Sequence, residues 1–488
     1  MNLATVIEGH DAGRTALVSR GGSTSYGQLR DQVARMRGAL ASRGVEPGDR
    51  VALLAGNNWY FVAAYLATLG AGAVAVPLNP LSPAPEIARE LRLVGPRLAL
   101  AGPHARAVLD GIDPRAVGPD FAGGAEIAGL LDADPAPPVD RSPGDLAVLL
   151  FTSGTAGAPR PAMLTHGNLC SNIDQVLAAP GPPQVTDDVA LCVLPLFHVF
   201  GLNTVLGVTL SLGGTAVLVE RFDPHSTLAT MAEHGVTIVT AVPAMWSAWA
   251  ALADAPSDAL AGVRLAVSGA APLDAAVHHA VRDRFGVDLV EGYGLTEASP
   301  VVTSGLGHDA PEGSVGVPLP GVAVRLVDPS GEDALAGDPG EIWVRGPNVF
   351  PGYWGDDEAT RAVLTPDGWL RTGDIAVADD RGFLSLVDRA KDVVIVSGFN
   401  VYPAEVEEVL ALHPAVEAAA VVGVPHPHSG EAVKAYVVVA PGAHVDEDEL
   451  AEHVCAHLAR YKCPSAFAFV DELPQGETGK LLRRELRR

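Results

Sequence analysis

Basic residues are scarce in this 488-residue chain: 33 Lys and Arg stand against 58 Asp and Glu, a formal net charge of −25. Such a surface repels polyanions, which excludes nonspecific binding to nucleic acid or to anionic membranes. A site for a phosphate-bearing ligand must therefore be polarised locally. Cysteine is equally thin, and the four, at 170, 192, 455 and 463, make no Cys-x-x-Cys pair and no zinc spacing. Metal-finger and redox-motif readings lose their support, and a reducing, cytoplasmic setting fits best. No Gly-x-x-x-x-Gly-Lys-Ser/Thr occurs, because Gly479-Lys480 is followed by Leu481, so a P-loop NTPase is not expected. The start lacks a basic region followed by an apolar core, so no secretory signal is expected. Two stretches, Trp59 to Leu78 and Val189 to Val219, carry no Asp, Glu, Lys or Arg. Glycines interrupt both, and Pro195, His198 and Asn203 punctuate the second, which reads as strands, a functional loop and a packed helix with no stable membrane insertion.

What is present is the composition of a globular protein of two to four domains, 48% hydrophobic and 19% charged. Tyr26 to Arg43 has an amphipathic helical pattern, Arg50 to Ala55 a strand pattern, and the next helix runs toward Gly70. The same alternation returns from Asp188 to Val239 and from Leu265 to Val290, which predicts parallel sheets covered by helices. Asp132 to Pro143 reads as a Pro-, Ala- and Asp-rich linker. Between Gly313 and Arg345 short alternating runs separated by turns predict a small β subdomain. The fold class expected is α/β: a large N-terminal region, residues 1–388, and a small mobile α+β C-terminal domain, residues 389–488.

The strongest local signal is Phe151-Thr-Ser-Gly-Thr-Ala-Gly-Ala-Pro-Arg160. Thr152, Ser153 and Thr155 offer hydroxyls, Gly154 and Gly157 permit close backbone approach, and Arg160 adds a cation, all suited to phosphate oxygens. An apolar strand precedes the loop, and Thr165 to Leu169 has the look of a helix start, giving an expected strand–loop–helix setting for an anion. Further polar groups sit in apolar surroundings. His198 lies in Pro195-Leu-Phe-His-Val-Phe-Gly201. Ser268-Gly-Ala-Ala-Pro272 and Glu291-Gly-Tyr-Gly-Leu-Thr-Glu297 follow strand-like runs, where small residues would admit a flat ring beside Tyr293. Glu297 is a hard-oxygen ligand suited to Mg²⁺, and Asp374 in Trp369-Leu-Arg-Thr-Gly-Asp374 is suited to ribose hydroxyls. Taken singly, Glu297 or Asp374 is as well explained by a helix cap or solvated turn, His198 by a core histidine and Lys480 by a solvated charge.

The order of these segments changes that balance. TSGTAG, PLFHVFG, SGAAPL, EGYGLTE, RTGD, DRAKD, GFNVYPAEVEEVL and PQGETGK follow one another from residue 151 to the C-terminus. In this the chain resembles the adenylate-forming superfamily of acyl-CoA synthetases, peptide-synthetase adenylation domains and beetle luciferases, and within it a fatty-acid CoA ligase. The resemblance implies two half-reactions: acid and ATP give acyl-adenylate and pyrophosphate, then CoA displaces AMP. It implies that Thr152, Ser153, Gly154, Thr155, Gly157 and Arg160 hold phosphates and that Gly269, Ala270, Ala271 and Tyr293 hold the adenine. It further implies that Thr296 contacts the α-phosphate, Glu297 holds Mg²⁺, and Asp374 and Arg389 bind ribose. Lys480 would bridge carboxylate and α-phosphate in adenylation. A hinge at Lys391 would swap Lys480 for Gly398 and its neighbours, which would line the pantetheine path. His198, Phe200, Asn203, Ala241, Pro243, Trp246 and Gly292 would border the acyl group.

The loop departs from the family pattern at Ala156, Arg160 and Pro161, where Thr, Lys and Gly are commoner. One hydroxyl and one N–H donor are lost, and the remaining charge is a planar fork. With mostly apolar candidates around it, the substrate is expected to be an apolar monocarboxylic acid and not a dicarboxylic one, and the resemblance implies a medium- or long-chain fatty acid foremost. Alternatives are an acyl- or aryl-adenylating enzyme that loads a carrier protein's pantetheine, and a nucleotide- or acyl-binding protein with little turnover.

Overall fold

The computed structural model describes residues 2–20, 22–103, 105–152, 160–271, 273–328, 330–389, 394–401, 403–474 and 486. Among these, alternating strands and helices build two large sheets. The nine-stranded sheet runs in the order Val317–Pro318, Val301–Ser304, Leu289–Gly294, Leu265–Ser268, Ile238–Ala241, Val189–Cys192, Thr215–Leu218, Thr15–Ser19, Gly22–Ser25. Its six middle strands are parallel and its margins antiparallel. The seven-stranded sheet runs Gly352–Tyr353, Arg160–Thr165, Leu146–Thr152, Val74–Leu78, Arg50–Leu54, Leu98–Ala101, Gly124–Glu126, with an antiparallel edge formed by the first two.

Local sequence explains the elements that join them. The helix Tyr26–Ser42 starts at Ser25, whose hydroxyl accepts from the Gln28 amide while the Gln28 side chain reaches back, a reciprocal cap. The uncharged stretch beginning at Trp59 forms the helix Trp59–Gly70, buried from Phe61 onward and packed against strands of both sheets. A helix apolar on every side belongs in such an interior. No described helix is long and apolar enough to cross a membrane. The second uncharged stretch divides, as its punctuation predicts, into the strand Val189–Cys192, a loop, a helical segment and the strand Thr215–Leu218. The helical segment opens with a π-helical stretch, Phe200–Gly207, before the α-helix Val208–Leu212. The Asp132–Pro143 region is no free linker: Ala136 N–H donates to Ala34 O, Arg37 Nε to Ala136 O, and Val139 N–H to Gly70 O.

The expected β subdomain is a four-stranded antiparallel sheet, Ala323–Val327, Gly340–Arg345, Leu370–Ala378 and Leu384–Arg389. The small C-terminal domain has its own core, in which Val406, Leu410, Val421, Val433 and Leu450 are buried together. Its sheet carries Phe399–Val401, Val394–Val396, Gly430–Val439 and Val416–His426, with Ala466–Phe469 parallel to Gly430–Val439. Cys455 and Cys463 form a disulfide, Cα atoms 5.5 Å apart, which the reading of a reducing setting did not anticipate. Cys170 and Cys192 are buried thiols.

Candidate active site

One cavity of about 260 Å³ opens where the parallel strands of the nine-stranded sheet end at their carboxyl edge. That is where open α/β sheets bind ligands, because the loops there diverge. Thr152 comes from the end of the strand Leu146–Thr152 of the other sheet. Ser268, Gly269, Ala270 and Ala271 come from the end of Leu265–Ser268, and Gly292, Tyr293 and Gly294 from the end of Leu289–Gly294. Thr296 and Glu297 follow, and Asp374 enters from the β subdomain.

The phosphate-loop region differs from the expected strand–loop–helix. Residues 153–159, which include Ser153, Gly154, Thr155 and Gly157, lie outside the described residues. The chain emerges as the strand Arg160–Thr165, antiparallel to Leu146–Thr152 with Thr152 opposite Arg160. The helix His166–Leu177 begins only after this return strand, capped by Thr165 and Asn168, so its N-terminus lies a strand's length from Arg160. Arg160 is engaged: Nε donates to Asp356 Oδ2 at 2.9 Å, and its guanidinium lies 6.0 Å from the Tyr353 ring centre. Tyr353 in turn donates its hydroxyl to Glu297 Oε1 at 2.7 Å. Arg160, Asp356, Tyr353 and Glu297 thus form one linked edge of the site.

On the opposite edge, Tyr293 donates its hydroxyl to Asp374 Oδ2 at 2.7 Å. Burial, and then the Asp374 carboxylate, hold that phenol well above its ordinary pKa, so it stays a donor. Asp374 is fixed from behind, its N–H donating to Thr372 Oγ1, while the Thr372 hydroxyl donates to Ile342 O. The backbone of Arg389 pairs opposite Asp374 across the sheet. Lys391 and Lys480 lie outside the described residues.

The His198 loop is clamped by a residue that carried no motif. Asn57 is 4% exposed; its amide donates to Cys192 O at 2.9 Å and Leu194 O at 2.8 Å, and its Oδ1 accepts from Leu196 N–H at 3.0 Å. Burial lowers the pKa of His198, keeping the imidazole neutral. Phe200 starts the π-helical stretch with its ring against Gly269, where an added Cβ would sit 3.0 Å from the ring. A floor of small residues is thus a steric requirement of Phe200.

The C-terminal domain reaches the same cavity. Ser397 and Gly398, with φ of +51° and +85°, turn the hairpin between Val394–Val396 and Phe399–Val401, a shape that suits type I′ geometry. Gly398 lines the cavity, and a Cβ there would lie 2.5 Å from Val242 Cγ1. Phe399 stacks on Phe197 and Tyr461 and meets His198 edge-on.

Of the residues expected around the acyl group, His198, Phe200 and Gly292 line the cavity; Asn203, Ala241, Pro243 and Trp246 do not. Asn203 is buried, donating to Leu169 O and Ser299 O, and Trp246 is core, its indole N–H donating to Val267 O beside Trp249. Ala241 is fully buried among the same core residues, and Pro243 opens the helix Pro243–Ala251. The lining instead includes Val176, Gln184, Thr204, Thr240, Ser268 and Leu306. Thr204 is reached through the π-helical stretch, whose spacing a 3.6-residue period does not reproduce. Three lining hydroxyls, Thr152 Oγ1, Thr204 Oγ1 and Ser268 Oγ, are buried without a hydrogen-bond partner among the described residues. Buried hydroxyls are normally satisfied, so three orphans around one cavity call for a polar occupant.

The AMP-binding enzyme family matches residues 4–354, and the AMP-binding enzyme C-terminal domain matches residues 405–480. A feruloyl-CoA synthase from Amycolatopsis sp is 42% identical over 97% of this chain and 95% of its own length. A long-chain-fatty-acid–CoA ligase from Bacillus subtilis is 34% identical over 97% of this chain and 91% of its own. The solved structure of an amide bond synthetase from Marinactinospora thermotolerans superposes with a TM-score of 0.88 at 34% identity, covering 100% of this chain and 99% of that one.

Proposed function

The chain belongs to the AMP-binding enzyme family, within the adenylate-forming superfamily, and from that premise we propose that it is an AMP-forming ligase that activates a monocarboxylic acid with ATP, releasing pyrophosphate, and transfers the acyl group from AMP to the thiol of CoA. The observation that carries this reading is the cavity itself. Three unpartnered hydroxyls, the Tyr293–Asp374 pair and the Gly398 turn converge on one space at the carboxyl ends of the strands.

Asp374, held by Thr372 and Tyr293, accepts ribose hydroxyls, with Arg389 as its neighbour across the sheet. Gly269, Ala270 and Ala271 lie along the adenine, where the absence of side chains lets a ring approach backbone. Thr152 and the loop after it take the phosphates, and Thr296 contacts the α-phosphate. Mg²⁺, when bound, neutralises phosphate charge. Glu297 is the carboxylate that would hold it, oriented by the Tyr353 hydroxyl. Lys480 is assigned by its motif to draw carboxylate and α-phosphate together, the positional contribution that an in-line attack requires. CoA then attacks the acyl-adenylate carbonyl, AMP leaves, and His198 and Phe200 border the carbonyl as packing groups. A cytoplasmic setting accords with these substrates.

For the acid, the orphaned hydroxyls of Ser268 and Thr204 favour a compact acid with a polar substituent, such as a hydroxylated arylpropenoic acid. The relationship to a feruloyl-CoA synthase supports the same class. A medium- or long-chain fatty acid is the second reading, favoured by the aliphatic lining of Val176, Val205, Val290 and Leu306. For the acceptor, CoA is tested against a carrier protein and against an amine. Incubating the protein with ATP, Mg²⁺ and a mixed panel of aryl and alkyl acids, with and without CoA, and weighing the products decides both. A CoA thioester of an aryl acid is expected; a thioester confined to alkyl acids selects the second reading.

A further inference from the structure

The contact between the two domains is built around buried charge. Glu86, Arg89 and Glu90 stand on the helix Ala84–Val94 of the large domain. Glu405, on the helix Pro403–Ala411, and Lys462 face them from the small domain. Lys462 Nζ donates to Glu86 Oε1 at 2.6 Å and to Glu405 Oε1 at 3.1 Å, and Arg89 Nη2 to Glu405 Oε1 at 2.8 Å. The other Glu86 oxygen accepts from the Ala459 N–H at 2.7 Å. Glu86 and Glu405 are 2% and 1% exposed and Lys462 6%.

These charges are matched in number as well as placed. Burial disfavours the ammonium of Lys462, but Tyr461 beside it and then the Glu405 and Glu86 carboxylates outweigh burial and hold its pKa above the ordinary value. Burial and then Glu86 push Glu90 up to about 8, so it faces the cluster as a neutral acid. Two cations then meet two anions. A buried ion cluster of this kind contributes little net stability against an apolar one, yet it strongly disfavours any arrangement that leaves one charge unpaired. When the surfaces part, every member hydrates, whereas an apolar interface of equal size would be left exposed. That is the chemistry of a joint that must specify one orientation and still release it.

The cluster and the cavity are also mechanically connected. Glu405 follows the Ser397–Gly398 turn by seven residues, and Tyr461, beside Lys462, stacks on Phe399 at 4.5 Å. Seating Lys462 on Glu86 and seating Gly398 against Val242 are therefore one docking event. We propose that Glu86, with Arg89, Glu405 and Lys462, forms an ionic latch that holds the small domain with the Gly398 turn in the site, and so acts as a positioning device for the acyl transfer to CoA and not for adenylation. The catalytic part of this rests on the ligase reading above; the orientational part does not.

Glu86→Gln is the decisive variant, because it lies on the large domain, preserves shape and keeps an acceptor for the Ala459 N–H. Spin labels at Leu335→Cys and Leu412→Cys, exposed positions on the large and small domains, report the orientation without turnover. In the protein with native Glu86 one dominant interlabel distance is expected, and Glu86→Gln should broaden it or add a second. In the unlabelled protein, transfer from preformed acyl-adenylate to CoA should slow by about tenfold or more, the loss expected for one charge-assisted contact, while acid-dependent pyrophosphate exchange is unchanged. Unchanged exchange also shows that the variant is folded. Arg89→Met should shift both readouts the same way. An interlabel distribution identical to that with Glu86 would overturn the latch, as would equal slowing of both half-reactions. If the native protein made no thioester at all, the ligase reading would fall while the distance measurement still decided the latch.

Discussion

Adding one methyl group at Gly398 should uncouple the two half-reactions. The backbone there has φ of +85°, which costs an L-residue about 1–2 kcal/mol. The added Cβ would lie 2.5 Å from Val242 Cγ1, whereas carbon atoms in contact sit about 3.5–4.0 Å apart. Overpacking of that kind costs about 1–3 kcal/mol where neighbours cannot yield, and Val242 is 3% exposed. The φ strain belongs to the hairpin in either orientation, so the overpacking alone, about 1–3 kcal/mol or a factor of about 5 or more, bears on the population of the docked orientation. The strain falls on a joint between domains, so undocking relieves the clash without unfolding either core. Gly398→Ala should therefore slow thioester formation at least about fivefold while acid-dependent pyrophosphate exchange keeps its rate, and the φ strain of about 1–2 kcal/mol should show only as a modest fall in melting temperature. Val242→Ala in the same chain removes the clashing methyl and should recover most of the lost transfer rate, while the φ strain, present in either orientation, remains in the melting temperature. Undiminished thioester formation in Gly398→Ala, or a double variant no better than the single, would refute the reasoning.

Lys480→Ala should abolish adenylation while far-ultraviolet circular dichroism stays native; retained pyrophosphate exchange would remove that lysine from its assigned role. Phe200→Ala should shift the acid profile toward bulkier acids, and Ser268→Ala should lower preference for a hydroxylated aryl acid over its unsubstituted analogue by roughly fivefold, about one hydrogen bond; steady-state competition between paired acids reads both. Asn57→Ala leaves the Leu194 carbonyl and the Leu196 N–H of the His198 loop without their partner and Cys192 O with only the Val219 N–H, so a loss of about 2–4 kcal/mol in denaturant unfolding is expected, with a raised KM for the acid. His166 is fully buried, its Nδ1 accepting from Leu3 N–H, and burial pushes its pKa down to about 4. The stability tied to its neutral form is complete above pH 6.5 and is lost as pH falls toward 4, about 3 kcal/mol in all; His166→Gln should flatten that part of the pH–melting curve, and an unchanged slope would exclude the histidine as its source.

The order of motifs and the βα alternation were legible because each depends on short-range chemistry: Ser25 and Gln28 cap a helix wherever they stand, and Trp59–Gly70 declares its burial by having no polar face. The return strand Arg160–Thr165 was hidden, since Arg-Pro-Ala-Met-Leu-Thr lacks the β-branched alternation that marks a strand. The acyl-pocket residues were half legible. Trp246 and Asn203 have the right neighbours in sequence, but whether a large or polar side chain beside a motif faces a cavity or the core is decided by tertiary packing. Thr204 was masked by the π-helical register and Asn57 by the absence of any motif around it. The ionic latch joins residues 86 and 462, and no local pattern relates them.

Ligation of an acid to CoA through an adenylate is read from the masses of the products after incubation with ATP, Mg²⁺, the acid panel and CoA. A monocarboxylic acid should give equal amounts of acyl-CoA thioester, AMP and pyrophosphate. Acyl-AMP that persists in the presence of CoA, or release of ADP and phosphate in place of AMP and pyrophosphate, would contradict it.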